Sequence, residues 1–210
     1  MSGLFLAVEG PEGAGKSSQV TRLAQRLSEQ GFDHLVTREP GGSPAGERVR
    51  QVLLDPELEL EPLSELLLYA AARAQHVAEL IAPALDAGRL VLTDRFGAAT
   101  VAYQGYGREL DLAFVKDLTE RVTRGLRPDL TILLDVPAEV GLERVVSRGE
   151  TDRLERADLT FHRRVRTGFL AQANEDPERW RLIDARRDEL AVAEDVWQAV
   201  SPLLQAWRHA

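Results

Sequence analysis

Residues 8–19 read "VEGPEGAGKSSQ". Gly10, Gly13 and Gly15 strip side chains from the main chain at three closely spaced points, and Lys16 and Ser17 follow at once. The spacing Gly-x-x-x-x-Gly-Lys-Ser is that of a loop that cradles phosphates with its backbone amides. The first amides of a helix lack partners and its dipole end is positive, so a loop that opens a helix attracts an anion. In such a loop Lys16 reaches the β- and γ-phosphates of a nucleoside triphosphate, and the Ser17 hydroxyl sits on Mg²⁺.

Four further segments could carry the acceptor side of a phosphoryl transfer. In "TREPGG" (37–42), Arg38 precedes a Pro-Gly-Gly turn, where its fork could hold a phosphate bidentately or simply pair with Glu39. In "LVLTDR" (90–95), Asp94 could orient Arg95 or stand near a metal ion. In "LLLYAAARAQH" (66–76), Tyr69 and Arg73 stand four apart on one helix face. They are either a stacking plane beside a planar donor or ordinary helix decoration. "SRGETDRLER" (147–156) is arginine-rich, and suits a closing lid or a solvated charged turn.

The elements that must position these residues follow from the hydrophobic pattern. "LFLAVE" before the loop reads as a strand. Val20, Leu23, Ala24 and Leu27 recur at helical spacing after it, until Gly31. Strands are predicted near 4–9, 34–37, 90–93, 130–136 and 181–183, with helical patterns between them, clearest over 64–87, 111–124 and 188–208. This alternation implies a parallel sheet covered on both faces, with ligands at the carboxyl ends of its strands. Arg38, Asp94, Arg95 and Asp135 all fall at such ends. Over 64–87, Leu67, Ala71, Ala74, Ala78, Ile81 and Leu85 form one stripe, with Leu66, Ala70 and Val77 beside it. So broad an apolar surface suits a buried helix or a subunit contact. "DPELELEP" (55–62) reads as a surface loop, and Pro202 predicts a kink or break in the last helix.

The 210 residues fit one domain with insertions, or at most two, and 44% hydrophobic content allows a sizeable core. With 26 basic against 34 acidic residues, the net charge of −8 argues against a nucleic-acid surface. No cysteine is present to form a disulfide or a thiolate metal site. The apolar run near the N-terminus lacks a basic flank and is interrupted by Glu9, so no signal peptide is expected. No apolar run is long enough to span a membrane. A cytoplasmic protein is the expectation.

The motifs "EGPEGAGKS", "TREPGG", "YAAARAQH", "DRFGAATVAYQGYGR", "RPDLTILLDV" and "RGETDRLE" span the chain in order. Together they resemble the bacterial thymidylate kinase family. The phosphate loop alone would also admit another nucleoside monophosphate kinase or a nucleotide-switch protein. The resemblance implies a P-loop NTPase-type α/β sandwich with a five-stranded parallel sheet over 1–210. It further implies a lid at about 147–158, ATP with Mg²⁺ as donor, deoxythymidine monophosphate (dTMP) as acceptor, and a homodimer. By the same resemblance Gly10, Pro11, Glu12, Gly13, Ala14, Gly15, Lys16, Ser17 and Ser18 hold the ATP phosphates. Arg38 and Arg95 hold the acceptor phosphate. Tyr69 stacks on the base, and Arg73 contacts its carbonyl. Thr100, Tyr103 and Gln104 line the nucleoside pocket, with Tyr103 crowding the sugar 2′ position. Glu9 is expected near a sugar hydroxyl and, with Ser17 and Asp94, near the metal. Because Glu12 stands where part of the family has an arginine, the catalytic cation is expected from the lid, where Arg148 and Arg153 both face ATP and Arg148 is favoured for the role over Arg153. Ala72 and Tyr69 depart from the aspartate and phenylalanine often found at those positions.

Overall fold

The structure is a computed structural model that describes residues 3–149 and 151–208. Five parallel strands form one sheet: β1 (Leu4–Glu9), β2 (His34–Arg38), β3 (Leu90–Asp94), β4 (Leu130–Asp135) and β5 (Trp180–Asp184). Their order is β2-β3-β1-β4-β5. The predicted strands match these to within a residue at each end. β1 is central and every one of its residues is buried, which explains its unbroken hydrophobic run.

The period-two pleat of β1 sorts its side chains between two layers. Leu4, Leu6 and Val8 pack with Val20, Leu23 and Leu27 of α1 (Lys16–Glu29), and with Val192, Val196 and Val200 of a C-terminal helix, Glu189–Arg208. Phe5 and Ala7 face the other way, against Val77, Ile81, Ala84 and Phe96. Chain from β1 leads to β2 and β3 on one side of the sheet, and β4 and β5 lie on the other. This is the strand reversal beside which open α/β sheets leave a crevice.

The remaining helices frame that crevice. α2 (Pro44–Leu54) starts where the Ser43 hydroxyl accepts from the Gly46 amide, with Pro44 in the first turn. α3 (Pro62–His76) continues through a π-helical turn, Val77–Ile81, into α4 (Ala82–Asp86). α5 (Gly97–Thr100) likewise runs into a π-helical segment, Val101–Gly107. α6 (Leu112–Thr123), α7 (Ala138–Ser147), α8 (Leu159–Glu175) and α9 (Glu189–Arg208) complete the layers.

Three sequence expectations are refined. The row turned inward along α3, the π-helical turn and α4 is Leu66, Ala70, Arg73, Val77, Ile81 and Ala84, whereas Leu67, Ala71 and Ala78 are exposed. Periodicity defined the apolar arc but not which edge of it meets the sheet. Pro202 does not break α9, which runs unbroken from Glu189 to Arg208. Pro202 and Gln198 are both exposed, so the carbonyl that loses its amide partner can turn to water. Residues 55–61 form the expected exposed loop, and Pro62 instead opens α3.

Candidate active site

The phosphate loop occupies residues 10–15, between the end of β1 and the start of α1. Gly13 has φ 69°, and a Cβ there would lie 2.1 Å from the carbonyl oxygen of Gly141 on α7. Only glycine allows both that backbone and that approach. Lys16 curls back so that its Nζ donates to the Pro11 carbonyl at 2.8 Å. Burial, with Arg95 nearby, lowers its pKa to about 8 against the opposing pull of Glu12, Asp94 and Glu9. The Ser17 hydroxyl donates to Asp94 Oδ2 at 2.7 Å, which ties the loop to the end of β3.

A hydroxyl and a carboxylate form a hard-oxygen pair suited to Mg²⁺, which binds through one or two protein oxygens while phosphates and waters supply the rest. Glu9, expected at this metal and at the sugar, lies elsewhere. It is fully buried, and its Oε1 accepts from the Phe96 and Ala99 amides at 2.8 and 3.3 Å. Its Oε2 finds no partner, and burial raises its pKa to about 7. Glu9 thus braces the start of α5 and does not line the cleft. In the pleat of β1 it shares the face of Phe5 and Ala7, toward Phe96 and α5.

Glu12, by contrast, does line the cleft. Its Oε1 accepts from Arg95 Nη2 at 2.8 Å and from the Tyr103 hydroxyl at 2.6 Å. Burial alone would raise its pKa, but the charges of Arg95 and Lys16 and the tyrosine hydrogen bond outweigh it and hold it at about 2. Arg95 also donates to the Gly10 carbonyl, and its guanidinium lies 4.9 Å from the centre of the Tyr103 ring. Arg95 has φ 70°, a left-handed backbone that is uncommon for a non-glycine residue and turns the chain sharply after β3.

Farther along the same cavity, of about 270 Å³, Arg38 is half exposed and pairs with Glu47 on α2 at 2.8 Å. It does not pair with Glu39. Glu39 is buried and accepts from Arg73 Nε at 2.7 Å and from His76 Nδ1 at 3.0 Å. The other ring nitrogen of His76, Nε2, is hydrogen-bonded with Thr37 Oγ1 at 2.7 Å. Arg73 also donates to Thr100 Oγ1 at 2.8 Å and to the Phe96 carbonyl at 3.0 Å. These bonds hold it beside Tyr69 and Gln104, which line the same cavity.

The two arginines expected of a lid separate. Arg148 is exposed, lines the cleft and pairs with Glu155 at 3.0 Å. Arg153, expected as a second ATP-facing arginine, points away: it donates to the Leu53 carbonyl at 3.0 Å and to Glu65 at 2.6 Å. Glu150, within the expected lid, lies outside the described residues. Asp135, at the end of β4, is held in a fork by Arg166 at 2.7 and 2.8 Å and does not line the cleft.

Arg50 was missed from the sequence. It lines the cavity and donates to the Pro40 carbonyl at 2.8 Å. Only the serine-proline start of α2 hinted at the helix that carries it.

A phosphate loop at the head of a parallel sheet, facing a second group of arginines across one cleft, defines an ATP-dependent phosphotransferase of the nucleoside monophosphate kinase class. A family model described as thymidylate kinase matches residues 8–196. The thymidylate kinase of Deinococcus radiodurans is 54% identical over 199 residues, which covers 95% of this chain and 97% of the relative. That of Carboxydothermus hydrogenoformans is 50% identical, covering 89% and 91%. A crystal structure of thymidylate kinase from Ehrlichia chaffeensis superposes with a TM-score of 0.78 at 32% identity, over 95% of this chain and 99% of that one. The chain belongs to the thymidylate kinase family.

Proposed function

We propose that this cleft phosphorylates dTMP to the diphosphate with ATP, for dTTP synthesis. The observation that carries the reading is Arg95, locked between Gly10 and Glu12 at the junction of the phosphate loop and the acceptor side. ATP phosphates lie along the amides of residues 10–18 with Lys16 over the β- and γ-groups. Arg38, Arg50 and Arg95 hold the acceptor phosphate. Tyr69 stacks on the thymine, and Arg73 donates to a base carbonyl through the N–H groups not spent on Glu39, Thr100 and Phe96.

Glu12, ionised and beside Tyr103, is assigned to a sugar hydroxyl in place of Glu9. The Tyr103 ring occupies the space a 2′-hydroxyl would need. Ser17 and Asp94 would hold Mg²⁺, which supplies charge neutralisation at the phosphates.

Two polyanions repel, so the chain's work is to surround both with fixed positive charge and hold them in line. The acceptor oxygen is already anionic near neutral pH and needs no strong base. Arg95 is held by its neighbours before substrate arrives, so it needs no reorganisation during the reaction. Arg148, exposed at the cleft's rim, supplies charge to the transferring phosphoryl as the lid closes and excludes water.

The exposed row of Leu63, Leu67, Ala71 and Ala78 on α3 and the π-helical turn supports a homodimer through this face. Among the described residues no helix is long and apolar enough to cross a membrane. We infer a cytoplasmic enzyme from its nucleotide substrates.

The test is ADP release measured with each nucleoside monophosphate in turn. Strong dependence on dTMP is expected. ADP release that needs no monophosphate, or that prefers a purine monophosphate, would overturn the assignment.

A further inference from the structure

Glu65, on α3, is wholly buried and lines no part of the cleft. Its Oε1 accepts from Gln104 Nε2 at 2.7 Å and from Arg108 Nε at 3.2 Å. Its Oε2 accepts from Arg108 Nη2 at 3.0 Å and from Arg153 Nη1 at 2.6 Å. Burial opposes ionisation here, but the Arg108, Gln104 and Arg153 contacts outweigh it and hold the carboxyl below the usual carboxylate range. An ionised carboxylate can only accept. The Gln104 group that faces it must therefore be the NH₂, and the amide cannot flip without setting two acceptors against each other.

Gln104 itself lines the cleft beside Tyr69 and Arg73. Among the described residues no donor is bonded to its Oε1. A pyrimidine ring that carries N3–H, as thymine and uracil do, offers a donor to such a carbonyl. Cytosine offers a bare N3 acceptor and an exocyclic amine.

We infer that Glu65 is a specificity-determining positioning residue: by holding the amide nitrogen of Gln104 it leaves the carbonyl to accept a pyrimidine N3–H and turns cytosine away. The inference rests on the reading that Tyr69, Arg73 and Gln104 surround the base. The same carboxylate holds Arg153, so one buried charge serves both the base filter and the root of the lid.

The decisive variant is Glu65→Gln, nearly isosteric but able to donate as well as accept, which frees the Gln104 amide to flip. The kcat/KM preference for dTMP over dCMP should fall by about tenfold or more, since a site built around one hydrogen bond discriminates strongly only while that bond is fixed. The loss should appear in the monophosphate KM, with the ATP KM little changed. Glu65→Asp keeps an acceptor-only group and should retain most of the preference. Arg108→Gln perturbs the same buried network but leaves the Gln104 contact, and should also retain it.

A folded Glu65→Gln protein with wild-type preference overturns the role of Glu65, as does an equal loss in Arg108→Gln. Should Glu65→Gln not fold, wild-type enzyme is assayed with N3-methyl dTMP. A loss of about tenfold or more in kcat/KM is expected, and use equal to dTMP overturns the inference. A wild-type enzyme that ignores dTMP would instead overturn the acceptor assignment, and this inference with it.

Discussion

Ser17 Oγ and Asp94 Oδ2 lie 2.7 Å apart, although 77 positions separate the residues in sequence. The contact joins the first turn of α1 to the last residue of β3. It exists because β1 and β3 pair in parallel with Val8 opposite Asp94, which brings the ends of both strands to one rim.

If that pair holds Mg²⁺, Ser17→Ala should raise the Mg²⁺ concentration for half-maximal activity by about tenfold, as losing a partner of a metal site typically does. The melting temperature should stay near wild type, because Ser17 is exposed. Titrating activity against Mg²⁺ at saturating ATP checks this. An unchanged midpoint would remove Ser17 from the metal site.

Arg38→Ala should raise the KM for dTMP far more than that for ATP. Arg38 ends β2 at the cleft and, among the described residues, is bonded to the partly exposed Glu47, so its loss should cost little stability. Both KM values, measured with the partner substrate saturating, decide the matter. A rise confined to ATP would put Arg38 on the donor side.

Arg148 and Arg153, the two arginines of the proposed lid, should respond differently. Arg148→Ala should lower kcat by at least about tenfold with small changes in either KM, as expected for a cation that acts mainly in the transition state. Arg153→Ala leaves Glu65 with Arg108 and Gln104 but removes the bonds that tie the segment around position 153 to α2 and α3. It should lower the melting temperature as well as the rate. Steady-state kinetics and thermal melts of both variants and the double mutant test this. If kcat survives in all three, the cation comes from elsewhere, and Arg95 is the remaining candidate.

Glu9 predicts a pH dependence of stability. Its carboxyl titrates near 4.5 when unfolded and at about 7 when folded, because burial disfavours the charge. The folded state then binds the extra proton, so stability from this group is full below pH 4.5 and is lost as pH rises to about 7. Glu9→Gln keeps an acceptor for the Phe96 and Ala99 amides without a charge. Its stability relative to wild type should grow across that window, by up to about 3 kcal/mol at 1.36 kcal/mol per pKa unit. Urea unfolding of both proteins at pH 4.5, 6 and 8 measures this. A constant difference would mean that Glu9 does not titrate in that range.

From the sequence alone came what depends on neighbours along the chain. The phosphate loop was legible because it is contiguous, and its glycines, Lys16 and Ser17 do their work within one turn. The strands were legible because those of a sheet buried on both faces must be apolar almost without interruption. Arg38 and Arg95 could be singled out because parallel strands all end at one rim. Tertiary structure decided what depends on which side chains meet. Glu9 and Glu12 stand three apart with the same chemistry, yet the strand buries one beneath α5 while the loop turns the other into the cleft beside Tyr103. Arg148 and Arg153 share one charged segment, yet only Arg153 finds a buried carboxylate, on a helix 88 positions away. Arg50 carried no signal of its own, because its place in the cleft depends on how α2 packs. Charge type and periodicity are local properties. The partner that takes up a buried charge is set by the packing of distant elements, and that partner separates a residue that meets substrate from one that holds the frame.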